Sequence, residues 1–98
     1  MNITFKNSNT PYEVFNPIEK KAFKGDVTGW LMSFVIKGDF ASSNEVDALL
    51  SQDNISEFKL IDSDKERTVT GYEKVISAAI HYTDNDKVVV EVQLSKGV

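Results

Sequence analysis

The chain has 98 residues with 41% hydrophobic and 27% charged side chains, a balance that is typical of one globular domain and excludes collagen, coiled coils and disordered chains. It has no cysteine, which excludes a disulfide scaffold, a thiolate nucleophile and cysteine-ligated zinc. The net charge of −4 disfavours a general nucleic-acid binder, because neutralising phosphates needs clustered lysine and arginine. We therefore predict a single domain over residues 1–98.

Alternating apolar residues predict strands at the start of the chain. Residues 2–6 and 12–15 alternate around the turn-forming residues 7–11, which predicts a first hairpin. Pro17 lacks a backbone donor, so the segment after it is expected at a sheet edge or as a bent continuation. The segment carries Lys20, Lys21 and Lys24. These lysines suit an exposed edge, because charge there discourages pairing with another chain.

The most apolar strand of the first half spans residues 27–37 (VTGWLMSFVIK), after a turn at Gly25 and Asp26. Leu31 and Val35 share one face of this strand. The opposite face carries Trp30, Met32, Phe34 and Ile36. Because both faces are apolar, we expect both to be covered and the strand to be central in its sheet.

The segment SSNEVDALLSQDN has the one persuasive helical pattern in the sequence. Ser42 and Glu45 form an S-x-x-E capping box at its start. The apolar stripe consists of Val46, Leu49 and Leu50. Asn54 tolerates the left-handed conformation that closes many helices, and Ile55 would then fold back on the stripe. We predict a short helix, about 43–53, packed across a sheet face because it is too short to be stable alone.

The second half of the chain has the pattern of further strands. Residues 56–62 alternate with Phe58 and Leu60 on one face. After a polar connection, residues 67–83 contain no proline or turn cluster, which would be an unusually long strand. Gly71 is the expected position of a bulge or bend in it.

The last hairpin has the clearest pattern. One face of its final strand carries Val88, Val90, Val92 and Leu94. This face matches that of the preceding strand only if the loop has an odd number of residues, as Thr83, Asp84 and Asn85 would provide. Such a loop predicts the pairs Ile80–Val88, Ala78–Val90 and Ile76–Val92.

These elements predict an α+β, mainly β domain with about six mostly antiparallel strands and one short helix across a sheet face. No internal repeat, linker or low-complexity segment divides the chain. Closure into a barrel and packing as a sandwich both fit the pattern.

The sequence offers little for catalysis. His81 is the only histidine, and its place beside a polar hairpin tip favours a surface histidine over an acid–base or metal site. The five glycines do not cluster into a phosphate loop or a dinucleotide fingerprint, and no G-x-S-x-G elbow holds a serine nucleophile. We therefore predict no catalytic residue, no bound cofactor and a protein that is not an enzyme.

Two groups of acidic residues match metal-binding loops only in part. The first, at alternate positions as in a calcium loop, consists of Asp62, Asp64 and Glu66. Arg67 replaces the glycine that the sharp turn of such a loop needs. Turn chemistry explains the second group, Asp84 and Asp86. We therefore predict hairpin loops at both places and no metal site.

The aromatic residues form two groups. We expect core positions for Trp30, Phe34, Phe40 and Phe58. Tyrosine suits interfaces and half-buried strands alike, so both environments are open for Tyr12, Tyr72 and Tyr82. A carbohydrate- or cell-surface-binding module would show an exposed aromatic platform, for which Tyr72 and Tyr82 are the candidates.

The run EVDALLSQDNISEFKLIDSDKERTVTGYEKV resembles a pattern in small proteins, mostly without an assigned role, of tailed phages and prophages of Gram-positive bacteria. The matching positions are residues 45–50 (EVDALL), Asn54, Ser56, Glu57, Leu60, Asp62, Gly71 and Tyr72. A weaker likeness reaches the opening strand and the final strand near Gln93, so about two thirds of the chain is covered. These motifs are structural, and the resemblance brings no catalytic or binding residue.

Proteins with this pattern are similar to products encoded near tail or baseplate genes. The resemblance therefore implies a non-enzymatic structural or assembly protein that contacts copies of itself or other phage particle proteins. We expect the protein in the host cytoplasm during assembly and then in the virion, without nucleic-acid binding. We expect no membrane binding either, since no apolar run approaches the roughly 18 residues of a membrane span. The alternatives are a regulator or inhibitor that binds a host protein, for which the acidic second half is the hint, and a small cell-surface or carbohydrate-binding module.

Overall fold

The computed structural model describes residues 1–39, 48, 50, 52–82 and 87–97, and these form one seven-stranded antiparallel sheet with almost no helix. The elements are β1 (Asn2–Phe5), β2 (Tyr12–Lys24), β3 (Val27–Asp39), α1 (Gln52–Ile55), β4 (Glu57–Asp62), β5 (Lys65–Thr70), β6 (Lys74–Tyr82) and β7 (Lys87–Lys96). The strand order is β5-β4-β1-β2-β3-β7-β6. The predicted mainly β class is confirmed, with seven strands where about six were expected.

The two edge strands, β5 and β6, are consecutive in the chain and are joined only by Gly71, Tyr72 and Glu73. In a flat sheet, six interstrand steps of about 4.8 Å would separate them by roughly 29 Å. The four Cα–Cα steps from Thr70 to Lys74 span at most about 14 Å. The sheet therefore curls until its two edges meet at this connection.

A hydrogen bond beside the connection joins the two sides of the curled sheet: Lys96 Nζ of β7 donates to the Thr70 carbonyl of β5 at 3.3 Å. The Gly71 N–H donates to the Ser56 carbonyl at 3.1 Å, which continues the pairing of β4 with β5 into the connection. Gly71 has a φ of 87°, and a Cβ at this position would lie 2.8 Å from Lys96 Cδ, so glycine suits both the backbone turn and the close approach. The predicted break at Gly71 is present, but it separates strands at opposite edges of the sheet.

The core lies on the concave face of the curled sheet, where alternate residues of each strand point inward. Its most buried members include Ile3, Phe5, Met32, Phe34, Ile36, Phe58, Val92 and Leu94. The ring of Phe58 contacts three other aromatic rings, with centroid distances between 6.2 and 6.4 Å and tilted planes. The three rings that contact Phe58 belong to Phe5, Phe34 and Tyr72. Such tilted pairs add to the free energy gained by burial alone.

Several strand predictions are confirmed. β1 and β2 form the expected first hairpin, and β3 is a central strand between β2 and β7. Met32, Phe34 and Ile36 of β3 are buried on the concave face, whereas Leu31 and Val35 on the other face are half-buried. β3 is therefore covered more completely on its concave face than on its convex face.

The predicted helix over about 43–53 falls largely outside the described residues, as do its Val46 and Leu49. The described helix, α1, has four residues and contacts β4 and β6. Leu50 and Ile55 are both buried, as their predicted contact requires. Asn54 lies inside α1 without a positive φ, so the prediction that it ends the helix in a left-handed conformation is wrong. Ile55, buried in the core, continues the helix past it.

The last hairpin has the predicted pairing of strands but a different register. Ile80 pairs with Val90 and Ala78 with Val92, two residues away from the predicted partners. From Ser77 onward, a shift of two residues keeps every side chain on its predicted face, so the apolar pattern could not distinguish the two registers. The predicted pair Ile76–Val92 is absent, because a bulge at Ile76 places Val75 opposite Leu94 instead. The predicted loop, residues 83–85, lies outside the described residues.

Replacement of Phe58 by alanine is expected to lower the free energy of unfolding by about 3–5 kcal/mol, because it removes a buried ring and leaves a cavity. Urea unfolding followed by fluorescence measures the change. The matched control is Phe23→Ala, since Phe23 is 71% exposed, and it should change stability by less than about 0.5 kcal/mol. Equal losses in both variants would contradict the central position of Phe58.

Candidate functional site

A cavity of about 600 Å³ opens on the concave side of the sheet, between β2, β4 and β5. Its wall is apolar and includes Pro17, Met32 and Leu60. Its rim is charged and includes Glu19, Asp62, Lys65 and Arg67. Asp62, Lys65 and Arg67 belong to the neighbouring strands β4 and β5, whereas Glu19 belongs to β2, which is not adjacent to either of them. The curl of the sheet brings Glu19 to this rim.

Glu19 reaches the cavity because of an irregularity in β2. The register with β3 changes by one residue between Phe15 and Ile18, so β2 contains one extra residue there. An inserted residue exchanges the faces of all residues that follow it. Asn16 has a φ of 52° at this bulge, next to Pro17, which cannot donate a backbone hydrogen bond. Without the bulge, Glu19 would point to the convex face of the sheet.

Two side chains donate hydrogen bonds to the Glu19 carboxylate. Arg67 Nη2 donates to Oε1 at 2.8 Å and to Oε2 at 3.1 Å. The Tyr72 hydroxyl donates to Oε2 at 3.0 Å. Lys96 Nζ lies 5.1 Å from the centroid of the Tyr72 ring, in the range of a cation–π contact. We call Glu19, Arg67, Tyr72 and Lys96 the polar cluster.

The environment fixes the protonation of this cluster. Burial raises the pKa of the Glu19 carboxyl. The hydrogen bonds from Arg67 and Tyr72 and the nearby positive charges lower this pKa by more, so it lies below its usual value of 4.5. Burial raises the pKa of the Tyr72 hydroxyl, and its hydrogen bond to Glu19 raises it further. At neutral pH the carboxylate is ionised and the hydroxyl is protonated.

Neither the Glu19 carboxyl nor the Tyr72 hydroxyl is suited to proton transfer near neutral pH, because a general acid or base works best with a pKa close to the working pH. The arrangement instead connects β2, β5 and the connection between β5 and β6. We therefore interpret the polar cluster as a positional anchor for the middle of β2, and the cavity beside it as a recess in the concave face.

Residues 18–30 of β2 and β3, which include this anchor, form a hairpin that we call the arm. Its base at residues 18–20 lies opposite residues of β3 that also pair with β7, and beyond Lys21 and Trp30 it is a two-stranded ribbon. β1 pairs with β2 only at Tyr12 and Glu13, and β7 pairs with β3 only from Trp30 onward. Among the described strands, none pairs with the sides of the arm before Trp30. Gly25, with a φ of 61°, forms the turn at its tip with Asp26.

The surface of the arm combines apolar and basic side chains. Phe23 is 71% exposed on one face, and Ile18 and Val27 are 55% and 51% exposed on the other. Its basic residues, all exposed, are Lys20, Lys21 and Lys24. Exposed lysines on this segment were expected from the sequence, whereas the exposure of the large apolar side chains beside them was not. The arm is therefore a projecting surface with both hydrophobic and positively charged contacts.

His81 does not take part in a site of this kind. It lies on β6, exposed, with Nε2 3.5 Å from Oε2 of an equally exposed Glu91. Exposed ion pairs of this type contribute little to stability. His81 lines neither the cavity nor the arm, in agreement with the predicted surface position.

The acidic residues of the calcium-like pattern form a hairpin, as predicted. Asp62 pairs with Lys65 across a turn in which Ser63 has a φ of 55°. Glu66 forms a 3.1 Å ion pair with Lys59 on the convex side. In the part of the chain that the structure describes, no three acidic or histidine residues are grouped as metal ligands. Asp84 and Asp86 lie outside it.

The aromatic predictions have mixed outcomes. Phe34 and Phe58 are core residues, as predicted, and Trp30 is half-buried. Tyr12 and Tyr72 are buried, so Tyr72 is the wrong candidate for an exposed platform because the curl of the sheet encloses it. Phe40 and the side chain of Tyr82 lie outside the described residues. Among the aromatic side chains that the structure describes, the exposed one is Phe23.

The polar cluster was missed from the sequence because its members lie far apart in the chain: Glu19 and Arg67 are separated by 48 residues. One signal was present. Asn16 and Pro17 interrupt an alternating strand, and such an interruption marks a bulge that turns the following residues to the other face.

Comparisons with known proteins add no relationship: no family model matches the chain, and no curated protein or solved structure is significantly similar to it. None of the helices in the described part of the chain is long and apolar enough to cross a membrane.

Replacement of Glu19 by glutamine is expected to lower the free energy of unfolding by about 1–2 kcal/mol at neutral pH, because charge-assisted hydrogen bonds are lost. In the wild type this contribution is present above pH 4.5 and is lost as the pH falls through the lower pKa of the folded state. The variant should therefore lose less stability than the wild type between neutral pH and about pH 3. Urea unfolding at a series of pH values measures both effects.

The control for this prediction is Glu13→Gln, because Glu13 is an exposed glutamate on the same strand. It should reproduce the wild-type dependence on pH. Identical pH profiles for the two glutamine variants would show that the polar cluster does not stabilise the ionised carboxylate.

Proposed function

We propose that this protein is a non-enzymatic structural or assembly component of a phage or prophage particle, in the tail or baseplate, and that it binds another particle protein through the arm. The observation that carries the binding surface is the exposure of Phe23, Ile18 and Val27 on a projecting ribbon. The phage context rests on the sequence resemblance. The two supports are independent of each other.

The arm has the properties of a surface that is covered in a complex. A two-stranded ribbon is marginally stable by itself in water, and a third strand or a packed surface would stabilise it. Fully burying a large apolar side chain contributes about 1.5–3 kcal/mol, and these three side chains, which are 51–71% exposed, keep roughly half or more of that contribution for contact with a partner. The arm exposes Ile18, Phe23 and Val27 on its two faces, which fits a partner that encloses it.

The charge of the arm favours a partner other than a second arm. Its three lysines are opposed by Asp26 alone, because Arg67 already neutralises Glu19. Two arms side by side would place like charges close together, which disfavours strand pairing. An acidic rim around an apolar groove would complement the arm in both respects. The polar cluster fixes the base of the arm and so reduces the conformational entropy lost on binding.

The double variant Phe23→Ser/Val27→Ser is expected to abolish incorporation into particles, because it removes an apolar contact from each face of the arm. Mass spectrometry of purified particles measures the ratio of this protein to the major particle proteins. Both positions are exposed, so the thermal unfolding midpoint of the purified variant should stay close to that of the wild type.

Phe23→Tyr is the matched control, because it keeps an aromatic ring at the tip and should be incorporated normally. Two results would contradict the proposal: wild-type protein missing from particles, or double variant incorporated as efficiently as the wild type.

The same surface would also serve a regulator or inhibitor that binds a host protein. A pull-down from uninfected host lysate distinguishes the two functions. Under the structural proposal, wild-type and double-variant baits recover the same host proteins. A single stoichiometric host protein that is captured by the wild type and lost with the double variant would favour the regulator.

A further inference from the structure

Three parts of the described sheet have an edge without a neighbouring strand: β5, β6 and the arm, on both of its sides before Trp30. Charged side chains on an edge discourage the addition of another strand. β5 begins with the charged run Lys65, Glu66 and Arg67, and the arm carries three lysines. Between Lys74 and His81, β6 carries no charged residue and reads VISAAI. Of these edges, β6 is the one without this protection.

The geometry of β6 also suits strand addition. A register shift between Val75 and Ser77 marks a bulge, and from Ser77 to the end of the strand the pairing with β7 is regular. Ala78 and Ile80 lie opposite Val92 and Val90, on the concave face. Val90 and Val92 are buried, whereas Ile80 is 36% exposed and Ala78 is exposed. The apolar face of the sheet therefore continues to β6 and is left open there.

We propose that β6 pairs antiparallel with β6 of a second copy of this chain, about a two-fold axis at Ala79. This pairing joins two sheets through their free edges and makes the interface isologous. It uses a surface separate from the arm, and it does not depend on the arm or on the particle context.

The residues of β6 are complementary to themselves in this register. Each Ala78 lies opposite Ile80 of the second copy, so a small side chain leaves room for a large one on the concave face. Each Ser77 lies opposite His81 of the second copy on the convex face, and Ala79 faces its own equivalent. No like charges are opposed, because Lys74 lies beyond the paired residues. Pairing would cover Ile80 and extend the apolar face across both copies.

Charge and side-chain size favour a second copy over the other candidate strands of this chain. An arm paired with β6 would place lysines beside the exposed Ile80, whereas β6 paired with itself places only neutral side chains there. The paired segment is about six residues long and buries a small area, so the dimer should be concentration-dependent.

Single cysteines test the register directly, because the wild-type chain contains none. Facing residues of an antiparallel pair have Cα atoms about 4.5–5.5 Å apart, within the range that a disulfide can bridge. Under mild oxidation, Ala79→Cys should give mainly the covalent dimer on non-reducing gels. Ser77→Cys, His81→Cys and, on the β5 edge, Thr68→Cys should give only the low level of random collisions. Equal cross-linking at all four positions, or none at position 79, would overturn the proposal.

Sedimentation velocity over a range of concentrations gives the second test. The wild type should shift from 11.0 kDa toward twice that mass as concentration rises. Ile80→Lys should keep the monomer mass, because it places two charges near the axis of the interface. Val27→Lys, on the arm, should dimerise like the wild type. Circular dichroism checks that both variants stay folded, as expected for exposed positions.

Three results would overturn this proposal: a wild type that stays monomeric at its highest soluble concentration, a dimer that persists in Ile80→Lys, or a dimer that is lost with Val27→Lys. In the last case the arm would be the self-association surface. Binding of β6 to a strand of a different protein would appear as a monomeric wild type that gains mass only with that protein. If the arm variant is lost from particles while its β6 pairing stays intact, particle binding by the arm and dimerisation through β6 are independent of each other.

Discussion

The short connection between β5 and β6 is the constraint on which the rest of this structure depends. Three residues join strands that a flat sheet would hold far apart, so the sheet must curl. The curl creates the concave face on which the aromatic side chains around Phe58 pack. It also buries Tyr72 and brings Arg67 of one edge strand to Glu19 near the middle of the sheet. Core, cavity and polar cluster are consequences of this closure.

The bulge at Asn16 and Pro17 is the second feature that determines this structure, because it decides which side chains of β2 point to the concave face. Up to Val14, β2 contributes apolar side chains to the core. After the bulge it turns a carboxylate inward, and a buried hydroxyl and an arginine hold that carboxylate ionised. The base of the arm is therefore fixed while its tip extends without a third strand beside it. A rigid base and an exposed tip are features of a preorganised binding surface.

The molecule thus offers two surfaces of different chemistry. The arm is apolar and basic, which favours an unlike partner with acidic groups, whereas the β6 edge is uncharged and complementary to itself. Used together, one surface would make a dimer and the other would attach it to a different protein. Such a division suits a component of a larger assembly, where self-association and attachment must not compete for one site. The lysines of the arm and the charges of β5 protect the remaining edges from unspecific pairing.

The sequence alone determined most of the strands, the apolar faces of β1, β3, β4 and β7, the turn at Gly25 and the break at Gly71, because these follow from side-chain alternation and local backbone preference. It did not determine the register of β6 and β7, since a shift of two residues preserves every face from Ser77 onward, or the bulge at Ile76. Strand order, the burial of Tyr72 and the meeting of Glu19 with Arg67 were decided only by the tertiary structure. These features depend on contacts between residues as much as 66 positions apart, as in the pair Trp30–Lys96, which no local pattern encodes.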